Sequence, residues 1–377
     1  MKTVVRSVAV TLLAGVAAMG AARQPDNGQS AIAVEKAVSW LAHVQGTDGG
    51  WGQDGGEKTF VRTGERLETQ GNDVANTALA VLALVRAGST SSSGAYQAHV
   101  RKGLEFLLAS VERAPDDGLA ITPRTGTQIQ RKLGPFIDTF LTSMLLSELD
   151  GNMGGAAGNQ RVRLALDKCV RKVEKNQQSD GSWNIAGGWA PILGTSIASR
   201  SLYAAQSKGV KVEPATMARV REYTRRSAQP AGVAGGVPVE VAASSAGVAL
   251  YAGAQQLEQL SRSDDDRVKN AKEIRAVADK ISRPEFVRGF GSMGGEEFFS
   301  YLNISDSMKR TGGPEWTKWN NQIKSTLADL QNQDGTWAGH HCITGRVAVT
   351  SAAVLTLLAE RQAGPVATPA AALSKKR

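Results

Sequence analysis

An all-α fold, a closed ring of six helical hairpins, is what this sequence predicts. Three observations lead there. Apolar residues recur at helical period through most of the chain, two kinds of helix alternate, and one turn motif returns three times at the same point of a hairpin.

The first kind of helix is amphipathic. Ala33, Ala37, Trp40, Leu41 and Val44 make one apolar stripe, with Glu35, Lys36 and Ser39 opposite. Stripes through Val100–Val111, Val162–Val173, Met217–Tyr223, Ala271–Ile281 and Trp316–Leu330 repeat the pattern. Pro214 and Pro314 open two of these helices, where a missing N–H is harmless. The second kind is small and apolar nearly all round: Val74–Ala87, Ile137–Leu149, Ser196–Ala205, Val241–Ala254, Glu296–Met308 and Val347–Ala359. A helix without a polar face is buried on all sides. Six outer helices alternating with six inner ones bury every apolar face if the hairpins close into an (α/α)6 toroid. No segment alternates with period two, so no sheet is expected.

Both ends of the chain read as separate. Lys2 and Arg6 precede the apolar run Val8–Gly20 and the small residues Ala21 and Ala22, the pattern of a secretory signal peptide. The expected division is residues 1–22 signal peptide, 23–362 toroid and 363–377 a disordered basic tail ending Lys375-Lys376-Arg377. Export to the periplasm or the extracellular space follows, and no segment is long enough to span a membrane. The net charge of +9 becomes +4 once Lys2, Arg6 and the three tail charges are discounted. The remaining basic residues are interspersed with acids, so nucleic acid is not an expected partner. Two cysteines, Cys169 and Cys342, are too few for a disulfide framework, and whether they pair is left open.

Connections from inner to outer helices are short, whereas those from outer to inner are long and glycine-rich. The long loops should gather at one end of the ring, where the inner helices begin, and long loops in compact domains commonly carry binding.

The recurring motif follows the first, third and sixth outer helices. It reads Gln45-Gly46-Thr47-Asp48-Gly49-Gly50-Trp51, then Gln178-Ser179-Asp180-Gly181-Ser182-Trp183, then Gln333-Asp334-Gly335-Thr336-Trp337. Glycine turns the chain, Asp and Gln can bind freed backbone groups, and Trp packs back. These segments resemble the QW repeats of the squalene cyclase/terpenoid cyclase and protein prenyltransferase superfamily, over about residues 30 to 362. The second, fourth and fifth hairpins lack the motif.

The resemblance implies chemistry that the residues carry only in part. Squalene-hopene cyclases resembling this chain use an Asp-x-Asp-Asp acid. The acidic cluster here, Asp264-Asp265-Asp266, instead suits a helix start. Aromatic residues make up 5% of the chain, few for a cavity that stabilises carbocations, so proton-initiated terpene cyclisation is not expected. Prenyltransferase β-subunits hold zinc with Asp, Cys and His. The nearest counterpart is His340-His341-Cys342, which makes zinc the candidate cofactor although the Asp-x-Cys spacing is absent.

Polar residues near the inner-helix starts are the site candidates. Asp138, Glu296, Arg200 and His341 would act in catalysis, with Asp73, Glu297 and Tyr301 beside them. The functional expectation is an exported toroid with a pocket at its loop end for a small or extended ligand, hydrophobic if isoprenoid-like. A non-catalytic binding or scaffold protein with a protein or cell-envelope partner is the first alternative, and a polysaccharide-acting α/α-barrel enzyme the second. Mouth polar groups each paired to backbone would favour the scaffold.

Overall fold

The computed structural model describes residues 27–53, 71–185, 191–228, 248–283, 294–340 and 342–361. The proposed signal peptide, the tail, and His341 lie outside them. Twelve long helices alternate as expected. The outer ones are α1 (Asn27–His43), α3 (Gln97–Arg113), α5 (Ala156–Lys175), α7 (Pro214–Ala228), α9 (Ala271–Ile281) and α11 (Gly313–Leu330). The inner ones are α2 (Val74–Arg86), α4 (Ile137–Leu149), α6 (Pro191–Ser207), α8 (Val248–Leu260), α10 (Gly295–Thr311) and α12 (Arg346–Leu357). Each inner helix packs on the next, and α12 packs on α2, so the ring closes. Among the described residues the only β-type pairing is the isolated bridge Trp51–Asp73.

Burial follows the two helix types. Outer helices bury one stripe, such as Val162, Leu166, Cys169 and Val173 of α5. Nearly every residue of α4 and α12 is buried. Removing this much apolar surface from water drives ring closure.

The turn motif repeats to the atom. Indole Nε1 of Trp51, Trp183 and Trp337 donates to the carbonyl ten residues earlier, Leu41, Val173 and Leu327, at 2.7, 2.7 and 2.8 Å. The backbone N–H of each Trp donates to a threonine hydroxyl on the following inner helix or its start: Thr77, Thr195 and Thr350. Asp48, Asp180 and Asp334 each accept from the N–H two residues on, an Asx turn. Gly49, Gly181 and Gly335 have φ of 90, 90 and 86°, which glycine adopts without strain. A Cβ on Gly181 would also collide with the Arg219 carbonyl of the next outer helix.

The glutamine register differs from the sequence reading. Gln45, Gln177 and Gln331, each six residues before its Trp, do the bridging; Gln178 and Gln333 do not. Their amides donate to the carbonyl of residues 49, 181 and 335 within the turn. The same amides also reach His99 at 3.0 Å, Thr216 at 3.0 Å and Ala33 at 2.9 Å. Each glutamine thus stitches its turn to the next outer helix, α3, α7 and α1 in turn, and Gln331 joins the last hairpin to the first. In the second hairpin, which lacks the motif, the buried Lys172 ammonium of α5 donates to the carbonyls of Pro115, Asp117 and Gly118 at 2.6, 2.9 and 2.9 Å.

Two boundaries are corrected. The fourth inner helix, expected over Val241–Ala254, continues to Leu260, and residues 241–247 lie outside the described residues. The long loop after α3 contains a short helix, Gln128–Leu133, with a capping box from Thr127 and Gln130.

Candidate functional site

The inner helices begin at one end of the ring, as predicted, and their polar first turns are largely engaged in structure. Asp73 caps α2, its Oδ1 accepting from Asn76 N at 2.8 Å. Asp138 accepts from Ala75 N at 3.1 Å and from Gln130 Nε2 at 2.7 Å, tying α4 to α2 and to the short helix. Thr139 donates to Leu119 O, and Arg346 pairs with Asp334 while lying over the Trp40 ring. The short helix lies across this end. Gln128 accepts from Thr344 N and Gly345 N at the start of α12, and the Leu133 carbonyl sits against Gly194 of α6.

Glu296 and Glu297, both 1% exposed, start α10. Glu297 Oε2 has no hydrogen-bond partner. Burial, and then the neighbouring Glu296, push the Glu297 carboxyl up to about 8. Burial and then Asp73 push Asp138 up to about 7. Both groups hold protons more tightly folded than unfolded, so their contribution to stability is full below about pH 4 and is lost as pH rises through 7 and 8. Unfolding free energy should therefore fall by roughly 2–4 kcal/mol between pH 5 and 8, and Glu297→Gln should flatten that fall. Urea titrations across the pH range test this; an unchanged slope in the variant would refute it.

Arg200 is corrected. It sits ten residues into α6, away from the helix start, and its guanidinium bonds to Asn303 and Asp306 of α10. It belongs to an ion network at the opposite end of the ring, where the inner helices finish. Arg86 of α2 donates from Nε to Glu148 of α4 at 2.9 Å and from Nη1 to Asp306 at 3.2 Å. Arg310 of α10 pairs with Glu258 of α8. Neither α2 and α10 nor α6 and α10 are neighbours in the ring, so Arg86–Asp306–Arg200 crosses its lumen. Sequence reading missed Arg86, Glu258, Asp306 and Arg310. The usable signal was polar residues at i, i+3, i+4 and i+7 on helices otherwise apolar.

Of the zinc candidates, His341 lies outside the described residues. Cys342 is buried in the left-handed region, with φ of 62°, while His340 is exposed. Among the described residues no three His, Cys, Asp or Glu side chains are grouped to hold a metal. Cys169 and Cys342 are both buried and are not joined in a disulfide. Asp264–Asp266 is a helix start: Ser263 and Asp266 form a capping box, and Asp264 pairs with Arg267.

A closed ring of six hairpins, three of them carrying glutamine–tryptophan turns, defines an α/α toroid of the terpenoid cyclase type. Residues 9–126, reaching from before α1 to the loop after α3, match the family model of the squalene-hopene cyclase C-terminal domain. No curated protein matches the chain.

Proposed function

We propose that the protein is an exported binding toroid that keeps the cyclase-type ring without terpene cyclisation. The ion-paired partition across the lumen supports this most. A polyene folded for cyclisation needs a dry chamber lined by aromatic faces. On the ring axis here stand Arg86, Arg200 and Asp306. Displacing them would strand buried charges, a loss larger than apolar ligand burial returns. The mouth carboxylates Asp73 and Asp138 are spent on helix ends. The loop end is then an outward surface for a protein or cell-envelope partner. Export rests on Lys2, Arg6 and the run Val8–Gly20.

The test uses the mature chain beginning at residue 23. Incubation with squalene or farnesyl diphosphate should yield no cyclised hydrocarbon and no released diphosphate, while the protein should co-sediment with isolated envelope. A cyclised product, or failure to sediment with envelope, would overturn the proposal.

A second reading is favoured by Glu297 alone. A buried carboxyl protonated at neutral pH beside a second carboxyl is the arrangement a glycosidic general acid requires. Release of reducing ends from polysaccharides, abolished by Glu297→Gln, would replace the binding reading with this one.

A further inference from the structure

The end of the ring where the inner helices finish holds more guanidinium than carboxylate. Arg86 is matched by Glu148 and Asp306, Arg200 by Asp306, and Arg310 by Glu258. Among the described residues Arg262, just past the end of α8, has no carboxylate within ion-pair distance. It is 3% exposed, and its one hydrogen bond runs from Nη2 to the Ser199 hydroxyl of α6. Among the described residues its Nε and Nη1 have no acceptor, and neither has Nε of Arg310. Both guanidinium groups stand over the Tyr203 ring, at 5.9 and 5.7 Å from its centre. A buried guanidinium with empty N–H groups is costly unless an anion completes it.

The helix C-termini at this end favour positive charge, which explains why arginines collect here. That field supplies no acceptor to Arg262 Nε or Nη1, because no carbonyl comes within hydrogen-bonding distance of them. What Arg262 lacks is an anionic partner in hydrogen-bonding reach: the neighbouring Glu258 pairs with Arg310 through Oε2, and its Oε1 has no hydrogen-bond partner among the described residues. Neighbouring groups on the same helix face are also unpartnered: both amide atoms of Gln255 and Oε1 of Gln259. Those amide atoms suit hydroxyls. The cluster reaches the surface at Arg310 and Arg267, whose side chains keep 12% and 19% exposure.

We propose that a small hydroxylated oxyanion, a sugar acid or sugar phosphate, binds between Arg262 and Arg310 against Tyr203. The anionic group meets the free guanidinium N–H groups, where bidentate geometry suits either phosphate or carboxylate. The hydroxyls face Gln255 and Gln259. This site is at the far end of the ring from the loop surface, so it stands or falls separately from the binding reading above.

Thermal unfolding and calorimetry of the mature chain, titrated with inorganic phosphate and with glucuronate, test it. A ligand that binds only the folded state raises the unfolding temperature in a saturable way. Saturation is expected with at least one probe and not with chloride at matched ionic strength. Stronger glucuronate binding would assign the carboxylate, stronger phosphate binding the phosphate ester. Arg262→Gln should weaken binding at least tenfold, whereas Arg225→Gln, in an exposed pair with Glu222, should leave it unchanged. Arg310→Lys keeps a charge for Glu258 and should weaken binding about fivefold if Arg262→Gln does not fold. No saturable effect with either probe, or full binding in a folded Arg262→Gln protein, overturns the proposal.

Discussion

Asp306→Asn should lower the unfolding free energy by about 3–5 kcal/mol, read as a fall in the urea midpoint of the mature protein. Asp306 is 0% exposed and carries two arginines, Arg86 and Arg200, from helices that are not its neighbours. The substitution keeps the volume and removes the only negative charge that Arg200 touches. It also turns an amide N–H toward one guanidinium. Two buried cations then lie without full compensation, and breaking a buried pair costs far more than the pair contributes against an apolar replacement. The companion variant with Leu at 306 and Met at 86 and 200 should recover most of the loss. Glu148 keeps enough exposure to be solvated after Arg86 is gone. A loss below 1 kcal/mol in Asp306→Asn would mean that the network contributes little and that the lumen is wetter than its burial indicates.

Trp337→Ala should cost a similar amount, about 3–5 kcal/mol, through a cavity at the point where the ring closes. Trp337 is fully buried and fills the angle between α11 and α12. Its removal also leaves the Leu327 carbonyl without its indole partner. Trp337→Phe separates the two terms. It keeps most of the volume and should lose only about 1–2 kcal/mol for the orphaned carbonyl. Gln331→Ala, which cuts the bonds to Ala33 and Gly335, should fall in the same small range. Equal losses in Trp337→Ala and Trp337→Phe would show that hydrogen bonding, and not packing, holds the last hairpin to the first.

The candidate site was less legible than the fold. Asp138, Glu296 and Glu297 were found because a polar residue at the start of an apolar helix is conspicuous. What each one bonds to was not readable. Asp138 is matched with Gln130 on a short helix inside a presumed loop, and six residues of mixed polarity carry too little periodicity to announce a helix. Arg200 was noticed as a buried cation but assigned to the wrong end, because sequence alone did not show that α6 begins at Pro191. The fourth inner helix runs on to Leu260, and an expected end at Ala254 hides Gln255, Glu258 and Gln259 from view.

Local sequence by itself determined the alternation of amphipathic and all-apolar helices, and with it a ring of six hairpins. Periodicity is a property of neighbours three and four residues apart, so it survives without any knowledge of the fold. The turn chemistry of Asp48-Gly49, Asp180-Gly181 and Asp334-Gly335 was equally local. Only the tertiary structure decided which glutamine reaches the next outer helix, that a short helix lies over the mouth, and that Arg86, Arg200 and Asp306 meet on the axis. Those partners are separated by more than a hundred residues of chain. Their pairing depends on closure of the ring, which brings non-adjacent helices face to face and makes every charge on the axis seek a counter-charge.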